Sequence, residues 1–111
     1  MFARSRQGAV DVIAGDDPLT ADGLGGVARL CDELLAAGQP RAVLDLGRVA
    51  LIDSAGLEWL LSSQEKFVQR GGAIKLAAPN QLCRDILLAT GVDRHFEVFA
   101  DAVAAVGSFA R

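Results

Sequence analysis

Short apolar runs alternate with segments of helical periodicity along this chain, and that alternation restricts the fold more than any other feature. Val43-Leu44-Asp45-Leu46, Ala73-Ile74-Lys75-Leu76-Ala77 and Glu97-Val98-Phe99 read as strands. The first of them lacks polar–apolar alternation, which suits a strand buried on both faces of a parallel sheet. Residues 21–37 carry Leu24, Val27, Cys31, Leu34 and Leu35 at helical spacing, with Gly38 and Pro40 as the stop. Gly23, Gly25 and Gly26 weaken the opening turns of that helix. A second helix over 55–70 has an inner stripe of Leu57, Leu60, Leu61, Phe67 and Val68 and ends at Gly71-Gly72.

Pro79-Asn80 opens a third helix carrying Leu82, Ile86 and Leu87, and Thr90-Gly91-Val92 closes it. Asp101 is placed to cap a last helix with Ala102, Val103 and Val106. Near the start, residues 2–7 and 9–14 are spaced to pair as a hairpin around Gln7-Gly8, before Asp16-Asp17-Pro18 breaks the pattern. Strand and helix in alternation predict an α/β fold with a mainly parallel sheet of four to five strands and about four helices. At 111 residues, 1–111 is expected to form a single domain.

Composition narrows the function classes. With 51% hydrophobic residues the chain is too apolar for disorder. No apolar run approaches the roughly 20 residues needed to cross a bilayer, so no direct membrane insertion is expected. The arginines in Met1-Phe2-Ala3-Arg4-Ser5-Arg6 precede no apolar segment, so no secretory signal is expected either. Cys31 and Cys83 lack metal-ligand spacing and fit small core residues in a reducing, cytoplasmic compartment. A net charge of −3 and no basic stripe argue against nucleic acid as a partner.

One corner concentrates polar chemistry. Ile52-Asp53-Ser54-Ala55-Gly56-Leu57 lies where the apolar strand around Val43 gives way to the second helix. The start of a helix presents unpaired N–H groups and the positive end of the macrodipole, so a phosphate on Ser54 would be stabilised there. Asp53 or Ser54 would equally serve as the helix cap. Ala55 and Gly56 are small enough to let a partner approach. Trp59, at about 100° per residue, falls opposite the Leu57/Leu60/Leu61 stripe and is expected to face outward, as an interface anchor or a homodimer contact. Asp45 is expected to tie down the loop 47–52, with Val49 and Ile52 as apolar pegs.

Catalytic sets are missing. Neither Gly-x-x-x-x-Gly-Lys nor Gly-x-Ser-x-Gly occurs, and His95, the only histidine, has no partner at triad spacing. Asp16, Asp17, Asp53 and Lys75 suggest a phosphorylatable receiver, but Lys75 falls mid-strand in the very next strand, which excludes it. Neither an enzyme nor a cofactor is expected.

From about Ala9 to Val106 the chain resembles the STAS domain family, of the anti-sigma factor antagonist type. The resemblance is carried by Ala42-Val43-Leu44-Asp45-Leu46, Ile52-Asp53-Ser54-Ala55-Gly56-Leu57, Gly71-Gly72 before Ile74-Lys75-Leu76, and Thr90-Gly91-Val92 before Phe96. It implies a module that binds an anti-sigma factor kinase until that kinase phosphorylates Ser54, with Asp53, Ala55, Gly56, Leu57 and Trp59 around the contact. Family members often place two hydroxyl residues after the aspartate, and here the second position is Ala55. A hydroxyl-Ala-Gly-Leu motif also resembles STAS adaptor subunits of lipid-transport ABC complexes, which implies an ATPase subunit as the alternative partner. A third class, a sensor with a nucleotide or apolar ligand at the strand ends, has no residue pattern to specify it.

Overall fold

Every expected strand and helix forms. A computed structural model describes residues 1–38 and 40–110. In chain order the elements are β1 (Phe2–Gln7), β2 (Val10–Gly15), α1 (Gly25–Ala36), β3 (Arg41–Asp45), α2 (Ser54–Gln69), β4 (Ala73–Ala77) and α3 (Gln81–Thr90). A short 3₁₀ helix (Val92–His95), β5 (Val98–Phe99) and α4 (Ala102–Ser108) follow. The strands lie side by side in chain order, with β1 antiparallel to β2 and the remaining pairs parallel. This is a single small α/β domain with a mostly parallel five-stranded sheet and four α-helices.

Chain-order neighbours joined by right-handed crossovers must put every crossover helix on one side. The burial pattern agrees. Val27 and Cys31 of α1, Leu60 and Phe67 of α2, and Cys83 and Leu87 of α3 share one core with the sheet residues Ile13, Leu44, Ile74 and Leu76. Among the described residues α4 alone covers the opposite face, packing Ala105, Val106 and Phe109 on Val10, Val12, Val43 and Ala77. Leu44 and Val43 are both buried, on opposite faces, so β3 shows no alternation in its sequence.

Local signals place the helix ends. Asp53, Asn80 and Asp101 each take extended backbone and accept a hydrogen bond from the amide three residues on. Gly91 ends α3 at φ 76°, a left-handed conformation that glycine adopts without strain.

Two expectations need correction. The first helix starts at Gly25, not near 21, because Gly23 and Leu24 turn back onto the Thr20 carbonyl instead. The buried stripe of α2 is Gly56, Leu60, Ser63 and Phe67, while Val68 is 57% exposed. Small residues form half of that stripe, so large apolar residues alone place it wrongly, by about 70° around the helix. In α3 the inward residues are Cys83 and Leu87, and Leu82 faces solvent. In α4 the packing residues are Ala102, Ala105, Val106 and Phe109, and Val103 is exposed.

Candidate functional site

The loop from β3 to α2 is pinned along its length. The Asp45 carboxylate accepts from the Gly47 amide at 2.9 Å, the tethering role expected of it. Leu46 N donates to Ala77 O at 2.8 Å and Val49 N to Leu46 O at 3.0 Å. Val49 and Ile52 are buried in the core beneath, as expected of pegs. A strap from a distant segment completes the corner. Leu19 N donates to Leu51 O at 3.0 Å, Asp53 N donates to Leu19 O at 3.1 Å, and Leu19 and Ile52 pair as a parallel bridge. Leu19 is completely buried, so the strap is anchored as firmly as the core.

Asp53 and Ser54 divide their work. Asp53 is the cap, its Oδ1 accepting from Gly56 N at 2.9 Å. Ser54 is the first residue of α2 and is exposed. Its hydroxyl is therefore not consumed in capping. With Asp53 N bonded to Leu19 and Gly56 N to Asp53, the amides of Ser54 and Ala55 are the donors this helix end still offers. An anion on the Ser54 oxygen would meet those donors and the positive end of the macrodipole. The Asp53 carboxylate next door would oppose it.

The structure turns Gly56 away from a partner. It is buried, and a Cβ there would fall 2.0 Å from Leu19 O and 2.9 Å from Ile52 Cγ2. Its missing side chain lets the Leu19 strap close on the helix, so it is not an open docking spot. Ala55 and Leu57 are half-buried, Leu57 against the main core.

Trp59 also departs from expectation. It is half-buried and packs against the same core, not outward. Arg70, eleven residues on and so about 20° away around the helix, donates to Leu35 O at 2.7 Å. That bond marks the Trp59 flank as the side turned to α1. The cause is the rotated stripe: Gly56 and Ser63 carry the helix into the core and bring Trp59 halfway in.

Sequence reasoning missed two things beside Ser54. The Leu19 strap leaves no trace in spacing, since it lies more than thirty residues from the motif. Leu51, three residues before Ser54, is a 38%-exposed leucine on the loop's outer side. The one signal for it in the sequence is a leucine next to Ile52, through the alternation of inward and outward side chains.

Cys31 and Cys83 are buried free thiols, and burial pushes Cys31 up to about 12 and raises Cys83 as well. His95 is exposed, and its carbonyl accepts from Gln64 Nε2 at 2.9 Å. Asp16 and Asp17 pair with the Met1 ammonium, which raises the pKa of that ammonium and lowers that of Asp16. Lys75 turns to the α4 face, donating to Ser108 Oγ at 2.7 Å and pairing with Glu97 at 2.9 Å. Its Nζ also lies 4.1 Å from the centre of the Phe109 ring. Among the described residues no acidic, cysteine or histidine cluster is arranged to hold a metal, and no helix is long and apolar enough to cross a membrane.

The family model for Mlab, STAS domain, matches residues 2–103. The chain belongs to the STAS domain family. No curated protein matches it in sequence. In structure this STAS domain is similar to TM1081 of Thermotoga maritima, at TM-score 0.90 and 22% identity over 99% of this chain and 95% of that one. It is also similar to an anti-sigma factor antagonist from Mycobacterium paratuberculosis, at TM-score 0.88 and 20% identity over 100% and 94%. The phosphorylated form of the Bacillus cell fate determinant SpoIIAA matches at TM-score 0.74 and 15% identity over 98% and 99%. At these identities the likeness establishes the fold.

Proposed function

We propose that this STAS domain is an anti-sigma factor antagonist, a cytoplasmic binding module switched by phosphorylation of Ser54. One observation carries the reading: Ser54 is exposed at the first position of α2 while Asp53 does the capping. A hydroxyl in that place is open to a kinase without any unfolding. In this mechanism the unmodified corner docks an anti-sigma factor kinase, with Ser54 central and Asp53, Ala55 and the exposed Leu51 beside it. Leu57 and Trp59 contribute through their uncovered edges. The kinase transfers the γ-phosphoryl group of ATP to Ser54 Oγ: the new P–O bond forms as the bond to the β-phosphate oxygen breaks, ADP leaves, and the hydroxyl proton passes to a base of the kinase.

The product carries about −1.5 to −2 charges at neutral pH and three acceptor oxygens. The amides of the helix end hold it with little change of fold. The partner surface then meets new bulk and a charge beside Asp53. A mismatch of roughly 3 kcal/mol, within the range of badly paired interfacial charges, lowers affinity more than a hundredfold. The domain is a substrate and a binding protein, with no chemistry of its own.

Incubation with the cognate anti-sigma factor kinase and ATP, followed by mass-spectrometric mapping, tests this reading. Phosphate is expected on Ser54 alone. Ser54→Asp is expected to weaken binding to the kinase by about a hundredfold, and Ser54→Ala to bind like the parent and resist release. Equal affinity for all three forms, or phosphate at another residue only, overturns the switch.

Ala55 favours a second reading. It stands where antagonists often carry a second hydroxyl, and Ser54-Ala55-Gly56-Leu57 meets the hydroxyl-Ala-Gly-Leu pattern residue for residue. The same corner would then dock, without a switch, on the ATPase subunit of a lipid-transport ABC complex. Affinity purification separates the two: a transporter ATPase recovered with no anti-sigma kinase selects the adaptor.

A further inference from the structure

The loop that carries the site has two carbonyls that neither sheet nor helix satisfies, those of Val49 and Ala50. Val49 is buried, so its carbonyl needs a partner, and one side chain supplies it while also reaching the carbonyl of the exposed Ala50. Asn80 Nδ2 donates to Val49 O at 3.1 Å and to Ala50 O at 3.2 Å. The other end of the same amide caps α3, Oδ1 accepting from Cys83 N at 2.7 Å. The Cys83 thiol adds a weak third donor from α3, its Sγ 3.5 Å from Val49 O. Only one orientation of the Asn80 amide fits. Turned over, it would set its N–H₂ against an N–H and its oxygen against two carbonyls.

Capping does not require asparagine here. Aspartate and serine cap helices about as well. What they lack is an amide N–H₂ that reaches two carbonyls while the oxygen still caps. The residue type at position 80 therefore answers to the loop as much as to the helix. On the loop's other side, the Leu19 backbone holds Leu51 O and Asp53 N. The segment leading into Ser54 thus runs between two clamps, one from the strap and one from the start of α3.

We infer that Asn80 is a positioning residue for Ser54, holding the β3–α2 loop preformed and linking it to the first turn of α3. The hold on the loop stands on geometry alone, and its effect on the partner rests on the reading of Ser54 given above. A loop already ordered in the free protein costs little further ordering when a partner lands on it. Loosening it raises that cost and leaves the phosphoryl-transfer chemistry untouched.

Asn80→Asp and Asn80→Ser both keep an oxygen to cap α3 and remove the amide donors to the loop. Amide hydrogen exchange in the full chain reads the two sides separately. Loss of two neutral hydrogen bonds is expected to speed exchange at Val49, Asp53 and Gly56 by about tenfold or more. Cys83 and Arg84, the amides bonded to Asn80 oxygens, are expected to exchange at the parent rate. With the anti-sigma factor kinase and ATP, KM for the domain is expected to rise several-fold at unchanged kcat. Unchanged exchange at Val49, Asp53 and Gly56 in both variants overturns the inference. So does an equal acceleration across the whole chain, which marks Asn80 as a general stabiliser. If the parent takes no phosphate at Ser54 while the loop amides still accelerate, the hold of Asn80 stands and the reading of Ser54 falls.

Discussion

The two faces of the sheet are built on different principles. The face under α1, α2 and α3 is a broad apolar core in which Leu44, Leu60, Phe67, Ile74 and Leu76 are almost wholly buried. The face under α4 is narrow, covered by one seven-residue helix, and has a lysine at its centre. The Ser54 corner belongs to the first. Leu19, Leu46, Val49 and Ile52 all drive into that core, so the loop inherits its rigidity. The docking corner proposed at Ser54 thereby stands where dense packing fixes its geometry. The α4 face closes with a mixture of small apolar contacts, one ion pair and ring contacts around Lys75, which tolerates change more readily.

The comparison breaks most visibly at Phe67. Phe67→Ala empties a fully buried site beneath α2 and is expected to cost about 3–5 kcal/mol by urea denaturation. A loss under about 1 kcal/mol would mean that this face is no denser than the other. Gly56→Ala comes next. The added methyl would stand 2.0 Å from Leu19 O, so strap and helix must part. The expected cost is about 1–3 kcal/mol, with faster amide exchange at Asp53. Parent-like stability would show that the strap yields freely and does not fix the corner.

Cys31 sharpens the contrast through pH. Burial in the three-helix core lifts its thiol from 9.0 to about 12. A raised thiol pKa favours the folded state fully below the unfolded value. That contribution is lost as pH climbs from about 9 toward 12, at no more than about 1.4 kcal/mol per pH unit. Urea midpoints of the parent should therefore fall more steeply above pH 9 than those of Cys31→Ala. Parallel pH profiles would contradict the dry surroundings assigned to that thiol. The smallest effect is expected on the other face. Lys75→Met removes an ion pair whose Glu97 side chain is mostly in water, and Ser108 still donates to Ala105 O at 2.7 Å. Stability should stay within about 1 kcal/mol of the parent. A loss of about 3 kcal/mol or more would place Lys75 beside Phe67 as a principal support of the fold.

Much of this molecule is legible residue by residue. Asp53, Asn80 and Asp101 open helices as capping residues do, and Gly71-Gly72 and Gly91 mark where helices end. The Ala42-Val43-Leu44 stretch of β3, which lacks alternation, announces burial on both sides, and Asp45 announces a tethered loop. Reading failed where small or polar residues do the packing. Gly56 and Ser63 form half of the inward stripe of α2, and overlooking them turns Trp59 toward solvent. Lys75 reads as an ordinary mid-strand residue because its partner Ser108 lies 33 positions further on.

Taken alone, the order of residues determined the α/β class, the approximate helix and strand limits, and a hydroxyl at the start of α2. Those features depend on spacing within a few positions, where backbone preference and side-chain period act directly. The tertiary structure alone decided which distant groups meet: Gly56 against the Leu19 backbone, the Asn80 amide against the Val49 and Ala50 carbonyls, and Trp59 against the main core. Such meetings follow from three crossover helices packing together on one side of the sheet, and no local pattern records them.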